Sequence, residues 1–400
     1  MRVGVVVGTQ PSDAGGGFVF SWEILRALCE LAGESSHDFV VFAEPSALAY
    51  ARSLTSSPRI SAEALPAPGL AMRAKEALWR HSSVARAWLS GPGWLQQHAD
   101  AKALEFLWFL SPAAHFLETP YAAIVWDLQH RSLPWFPEVG ANGQWEIREA
   151  AHRMFLPRAS LVIAGTEAGA AEITDSYGVP RSRMLLLPHP TPRYALEPPE
   201  VAGVDAGLRD PLIVYPAQFW PHKNHAVLLK ALALLKMRHG IGASLALTGS
   251  DKGNRAHCER LAKTLEVGDA VHFLGFVPLP QLLGLYRRAA AMAYVSYGGP
   301  ENLPPLEAFA LGCPVVAADV PGAREQLGDA ALLVDPASPE AVADALARVI
   351  GDRALAADLK ARGRKRAGER TATAFVRGML SWLDRFAVVR AAWPAPPPPA

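Results

Sequence analysis

Short runs of valine, isoleucine and leucine alternate along this chain with longer stretches whose apolar residues recur every three or four positions. Residues 3–7 read as a strand, followed by a glycine-rich loop and a helix over about 21–31. Further strands are expected at 38–43, 104–110, 122–126 and 160–164. Strands that are apolar throughout, rather than alternating, and that are separated by helices predict a parallel sheet covered on both faces.

A second series begins near residue 211. Strands are expected at 212–215, 244–248, 271–274, 291–295, 315–318 and 331–334. Between them lie helical patterns at 226–238, 255–265, 279–290 and 340–351, with another opening at 306–311. This is the pattern of an independent doubly wound domain. Proline density marks the boundary, in Leu187-Pro188-His189-Pro190-Thr191-Pro192 and Glu197-Pro198-Pro199-Glu200. The expected organisation is therefore α/β, with two Rossmann-like domains at 1–190 and 211–365 joined by a linker at 191–210. A helical segment at 366–390 and a disordered proline-rich tail at 391–400 complete it. Ligands of such domains bind at the C-terminal ends of strands, so the loops after strands are where chemistry is sought.

Composition narrows the functional classes. The chain has 400 residues, half of them hydrophobic, enough for two cores and against a mainly disordered chain. Its 39 Lys and Arg against 38 Asp and Glu leave a net charge of +1, which argues against a nucleic-acid partner. Cys29, Cys258 and Cys313 are far apart and form no Cys-x-x-Cys pair, so neither a disulfide framework nor a zinc site is expected, and the compartment expected is the cytoplasm. The apolar N-terminal run is too short for a signal-peptide core, and no uncharged 18-residue stretch suggests a membrane span.

The segment Gly298-Gly299-Pro300-Glu301-Asn302-Leu303-Pro304-Pro305-Leu306-Glu307-Ala308-Phe309-Ala310-Leu311-Gly312-Cys313-Pro314-Val315-Val316 reads strand, loop, helix, glycine stop, strand. A loop that delivers backbone N–H groups at a helix N-terminus is an anion site. Glu307, read as lying in the first helical turn, would either accept ribose hydroxyls or simply favour the helix dipole. The residues alone leave both open.

This segment closely resembles the retaining, metal-independent glycosyltransferases of the large group 1 family (family four), which have the GT-B fold. Their motif is Glu-x7-Glu within Glu-Gly-Phe-Gly-Leu-Pro-x-Leu-Glu-Ala-x-Ala-x-Gly-x-Pro-Val-Val, and the match runs from Leu303 to Val316. The chain departs at the first glutamate, which in the family touches the donor sugar: Gly299 stands there, and either Glu301, two places later, takes over that sugar contact after loop rearrangement or the sugar is held differently. Tyr215-Pro216-Ala217-Gln218-Phe219-Trp220-Pro221-His222-Lys223 resembles the family's Gly-Arg-x-x-x-x-Lys-Gly loop. Lys223 falls on the lysine that neutralises the donor diphosphate, Gln218 stands in place of the arginine, and His222 offers a substitute donor. Gly249, and the 271–277 strand and turn ending at Val277, resemble the parts whose backbone meets the nucleotide base.

In the first domain, Gly15-Gly16-Gly17 resembles the family's glycine loop near the donor phosphates, with Gly16 and Gly17 as its contacts. A dinucleotide fingerprint is the rival reading, but the Gly-x-Gly-x-x-Gly spacing is missing. Trp126-Asp127-Leu128-Gln129-His130 resembles the His-Asp-Leu segment with tryptophan in the histidine place. Asp127 and His130 are the candidates to orient the acceptor or take its proton. Thr166 is expected to cap the helix after the 160–164 strand. The basic, tryptophan-bearing stretch 72–89 is read as a partly buried helix, with peripheral contact to an anionic membrane as its alternative.

The resemblance implies transfer of a hexosyl unit, with retention, from a UDP- or GDP-sugar to a glycan or lipid-linked hydroxyl, in glycan or polysaccharide biosynthesis. No cofactor or metal is expected. Glu301, with Asp127 and His130, is the catalytic candidate set. Gly16, Gly17, Gln218, Lys223, Gly249, Val277, Asn302, Leu303 and Glu307 are the donor-binding set. Rival readings are a nucleotide-sugar epimerase or hydrolase on the same fold and a degenerate, non-catalytic binding subunit. The latter rests on the departures at Gly299, Gln218 and Trp126.

Overall fold

The computed structural model describes residues 1–8, 15–65, 69, 93–115, 117–203 and 207–393. The 72–89 stretch and residues 394–400 of the expected tail lie outside the described residues.

The first sheet has seven parallel strands: β1 (Arg2–Val6), β2 (Asp38–Ala43), β3 (Ile60–Ala64), β4 (Phe106–Phe109), β5 (Tyr121–Ile124), β6 (Leu161–Ala164) and β7 (Met184–Leu186), in the order β3-β2-β1-β4-β5-β6-β7. The second has six: β8 (Leu212–Pro216), β9 (Ser244–Thr248), β10 (Val271–Gly275), β11 (Ala291–Tyr294), β12 (Val315–Ala318) and β13 (Ala331–Val334), in the order β10-β9-β8-β11-β12-β13. Both sheets reverse direction of growth once, between β1 and β4 and between β8 and β11. A crevice opens at the C-terminal ends of the strands at each such reversal.

The strands form where the apolar runs are unbroken. β4 and β5 are buried at every position, as are β9, β11 and β12, as strands covered on both faces must be. The edge strands β3 and β7 escape the apolar-run criterion. Ile60–Ala64 carries Ser61 and Glu63, and Met184–Leu186 is three residues long.

The first sheet has a core on each face. One contains the helix Gly16–Leu31 and, from the other end of the chain, Phe375, Val376, Met379 and Leu383 of the helix Ala372–Arg390. The C-terminal segment is thus two helices, Arg353–Glu369 on the second domain and Ala372–Arg390 on the first, parted at Arg370–Thr371. Thr371 starts the latter by accepting from the Ala374 N–H (3.1 Å). The chain therefore crosses between domains twice, near 187–192 and near 370. The crossings are tied together: the Thr191 N–H donates to Arg370 O (2.8 Å) and Thr191 Oγ1 to Ala367 O (2.9 Å). Among the described residues no helix is long and apolar enough to cross a membrane.

Candidate functional site: the cleft between the two sheets

The loop after β8 lies at the reversal of the second sheet, and Gly249 sets its course. Gly249 has φ +128°, and a Cβ there would stand 2.5 Å from Ala217 O and 2.7 Å from Gln218 N. A side chain is excluded on both counts, and the strand end of β9 can approach the 217–218 backbone only as glycine. The loop ends in a 3-10 turn, Pro221–Lys223, which aims Lys223 at the end of β11. There Lys223 Nζ donates to Tyr294 Oη (3.0 Å), and Tyr294 Oη donates to Asn302 Oδ1 (2.8 Å). A cation from the loop after β8 is thereby joined to the start of the helix Leu303–Ala310 after β11.

Asn302 is held on both backbone atoms by one side chain. Its N–H donates to Gln326 Oε1 (3.0 Å), and its carbonyl accepts from Gln326 Nε2 (2.9 Å). Its own amide donates to Gly299 O (3.0 Å) and fixes the loop. This corrects the expected anion site. The Asn302 N–H is spent on Gln326, and Pro304 and Pro305 have no N–H to give, so the Leu303 amide is what the helix start retains of the expected donors near 302–305.

Glu307 departs further from expectation. It lies in the second turn of Leu303–Ala310, not the first, and its side chain is buried away from the cleft. Tyr194 Oη donates to Oε1 (2.6 Å) and Tyr286 Oη to Oε2 (2.7 Å). Burial raises the Glu307 carboxyl above its ordinary range, and the two tyrosines pull it back. In this structure the two tyrosines satisfy the carboxyl inside the protein.

Gln218 Oε1 accepts from Trp220 Nε1 (2.9 Å), so the arginine place is filled by a locally folded amide. Nor does His222 supply the missing charge. Its backbone N–H donates to Glu138 Oε1 (2.9 Å), and its ring Nδ1 pairs with the same oxygen. Burial, with Lys223 beside it, holds the imidazole below its usual range despite Glu138. Val277 packs partly against the second core at the end of the turn after β10.

On the first domain, Gly15 is the residue before the helix and Gly16 and Gly17 form its first turn, rather than a loop. Gly16 faces the second domain, since a Cβ there would lie 3.5 Å from Leu303 Cδ1. Asp127 follows β5 and accepts from the Gln129 N–H (3.0 Å) and from Arg148 Nη1 (3.3 Å). It lines a cavity of about 280 Å³ with Trp126, Thr166, Glu172, Pro300 and Glu301. Thr166 caps its helix, accepting from the Gly169 N–H (3.0 Å).

His130 is fully buried and outside this cavity. Its Nε2 lies 3.2 Å from Glu149 Oε2 and 3.1 Å from Tyr177 Oη, and burial lowers its pKa. It braces helices behind the cleft and cannot meet an acceptor here. Glu301 also departs from its sugar-contacting role. Its Oε1 accepts from Arg370 Nη1 (2.9 Å) and from the His189 N–H (3.0 Å), with the side chain 2% exposed.

The two domains meet at further points. Glu325 accepts from the Glu167 (2.6 Å) and Ala168 (2.9 Å) N–H groups, and Phe136 packs on Tyr297 with centroids 5.8 Å apart. A second cavity, of about 260 Å³, lies beside Tyr294, Asn302 and Gln326.

The chemistry-bearing residues brought together are therefore Lys223, Asn302 and Leu303 with Gly16 opposite, and Asp127 with Glu301. Glu138, Glu172, Tyr294, Gln326 and Arg370 join them without having been singled out in the sequence. Of these, Tyr294 carried a signal, as the polar-tipped last residue of an otherwise apolar strand. Among the described residues no three His, Cys, Asp or Glu side chains are grouped to hold a metal ion.

Comparison with known proteins bears on the family resemblance and on the fold. Residues 203–366 match the family described as "Glycosyl transferases group 1". A D-inositol 3-phosphate glycosyltransferase of Nocardia farcinica is 30% identical over 217 residues, 52% of this chain and 48% of the relative. The namesake from Corynebacterium jeikeium is 28% identical over 280 residues, 66% of this chain and 62% of the relative. The aligned region spans about half the length of the first curated relatives. Among the similar solved structures, two illustrate coverage of almost the whole chain. Sucrose-phosphate synthase from Thermosynechococcus elongatus has TM-score 0.68 and 19% identity, covering 97% of this chain and 99% of its own. HepE from Anabaena, in complex with UDP-glucose, has TM-score 0.66 and 17% identity, covering 96% and 100%. The fold is GT-B, as the resemblance implied.

Proposed function

We propose, from a GT-B chain whose residues 203–366 match the group 1 glycosyltransferases, that it transfers a hexosyl unit from a nucleotide-diphosphate sugar to an acceptor hydroxyl. The single observation that carries this reading is Lys223. It is a half-buried cation at the reversal of the second sheet, tied through Tyr294 to the loop that opens the Leu303–Ala310 helix. In glycosyl transfer the bond from the sugar's anomeric carbon to the diphosphate breaks and the electron pair leaves with the phosphate. Lys223 stands where that negative charge grows, and a fixed cation in a closed cleft favours the charge most in the transition state. It supplies there the charge compensation that a metal ion provides elsewhere, in keeping with a metal-independent reaction.

The acceptor oxygen forms the new bond to the anomeric carbon. Asp127 lines the cavity on the first domain's side, which supports it as the group that receives the hydroxyl proton in this reading. Retention of configuration belongs to the same proposal and rests on the group 1 resemblance. UDP is the favoured nucleotide, because HepE was solved with UDP-glucose and a further GT-B neighbour is described as bound to UDP-2-fluoro glucose. GDP-sugars remain the second donor class. The role belongs to glycan synthesis on the cytoplasmic side.

Titration calorimetry with UDP and GDP tests the reading. Wild-type protein is expected to bind one of them, and Lys223→Ala to weaken binding by about tenfold or more, as loss of a charge-assisted contact of about 1.5–3 kcal/mol requires. Unchanged affinity in the variant removes Lys223 from the site and the proposal with it. One observation favours a second reading, a nucleotide-sugar-binding subunit without turnover: Glu301 and Glu307 are both engaged inside the protein. Tight donor binding with no product across glycan, lipid-linked and small-molecule acceptors would select that reading.

A further inference from the structure

Glu301 belongs to the loop before the Leu303–Ala310 helix, yet its carboxylate is held by the two interdomain crossings and faces the first domain. Its Oε1 receives the His189 N–H (3.0 Å) from one interdomain crossing and Arg370 Nη1 (2.9 Å) from the other. Both side chains of the ion pair are withdrawn from water, 2% exposed for Glu301 and 9% for Arg370. Arg370 extends the same grip, because its Nη2 donates to Glu325 O (2.8 Å), next to the Gln326 that clamps Asn302. A second, independent feature points the same way. The loop after β6 in the first domain carries Gly165, where a Cβ would lie 1.4 Å from Glu301 Oε2. The carboxylate reaches across the cleft onto backbone that only glycine leaves open.

We propose that Glu301 is a positioning residue that couples the donor loop to domain closure: it binds both crossings and seats on Gly165, so the loop takes its working place only when the domains are shut. The inference rests on the donor-binding reading of the cleft. It replaces a sugar-contacting role for Glu301 by a geometric one. A carboxylate bonded to two hinge segments moves with the hinge, and the Asn302 and Leu303 backbone that follows it in sequence moves too. Arg370 acts through Glu301 in the same way.

Because Glu301 and Gly165 share one contact, their substitutions are expected to be non-additive. Gly165→Ala places a methyl group where Oε2 sits and drives the carboxylate off its partners. Once Glu301 is alanine that space is vacant, and Gly165→Ala has little left to disturb. The test compares Glu301→Ala, Gly165→Ala, the double variant and Arg370→Lys in the full-length chain. Small-angle scattering without ligand reads closure, and turnover of a UDP-sugar reads the working loop. Each alanine variant is expected to enlarge the radius of gyration and to lower turnover about tenfold or more, while UDP affinity stays within about threefold because Lys223 is untouched. The double variant should be no worse than the worse single, and Arg370→Lys should fall between it and wild type.

Unaltered scattering in Glu301→Ala and Gly165→Ala, or a double variant showing the full sum of the single effects, would overturn the proposal. Should Glu301→Ala fail to fold, Gly165→Ala and Arg370→Lys still answer, since each leaves the carboxylate present. Failure of the donor-binding reading looks different: wild-type protein binds neither UDP nor GDP, and the scattering comparison stands by itself.

Discussion

At Glu307, two tyrosines 113 and 21 residues distant in sequence close around one carboxyl. Burial raises its pKa, so the folded chain holds this proton to a higher pH than the unfolded chain does. The native state then binds more protons than the denatured one. Stability from this group is full below the ordinary carboxylate range, near 4–5, and falls as pH rises toward the raised value. Glu307→Gln carries no such dependence, and its amide can pair with both hydroxyls. Melting curves at pH 5 and pH 8 should show the variant gaining on wild type as pH rises, with nucleotide affinity unchanged. Glu307→Ala should instead lose about 1–3 kcal/mol for each tyrosine hydroxyl left without an acceptor. A glutamine variant that melts normally at both pH values but no longer binds nucleotide would return Glu307 to the donor site. Lys223 and Glu307 illustrate what single residues reveal in a sequence. The role proposed for the lysine comes from the resemblance of its loop, a local match that the sequence displays. The glutamate's role depends on Tyr194 and Tyr286, whose approach is set by tertiary packing and leaves no trace in the motif.

Elements were legible where burial on both faces makes the apolar run continuous. The strands 38–43, 244–248 and 315–318 fall where the pattern puts them, and the half-buried edge strand 331–334 does so because its own run, Ala-Leu-Leu-Val, is apolar throughout. β3 and β7 were not legible, because edge strands carry polar residues or too few residues to make a run. The loops between elements are subtler, and Gly249 shows why. Its identity was visible, but the need for it is a close approach to the 217–218 backbone from another strand. Gly249→Ala meets that backbone and adopts a φ that L residues avoid, strain of about 1–3 kcal/mol, and it displaces the loop that carries Lys223. The expected outcome is a lower melting temperature together with at least a severalfold loss of nucleotide affinity. Loss of stability alone, with affinity intact, would mean that the Lys223 turn is positioned independently of β9.

At the scale of the whole molecule, the chain's end completes the domain formed by its beginning. Phe375, Val376, Met379 and Leu383 are buried in the first domain's core, and Phe375 meets Phe20 edge-on, with centroids 5.5 Å apart at 80°. Phe20 also touches His189 and Trp126, at 4.7 and 5.9 Å between centroids. One aromatic group thus joins the returning helix, the first crossing and the Trp126 wall of the cleft. The second domain has its own core and shares none of these aromatic contacts. Phe375→Ala should therefore cost about 3–5 kcal/mol, as a large-to-small change in a packed core does, and the loss should fall on the first domain. Calorimetry is expected to show the first domain's transition moving to lower temperature while UDP or GDP affinity stays within about twofold. Turnover should fall further than affinity, because the cavity lined by Trp126 and Asp127 loses its backing while Lys223 keeps its place. If nucleotide affinity falls in step with stability, the two domains unfold as one unit and the division of donor and acceptor sides between them is mistaken.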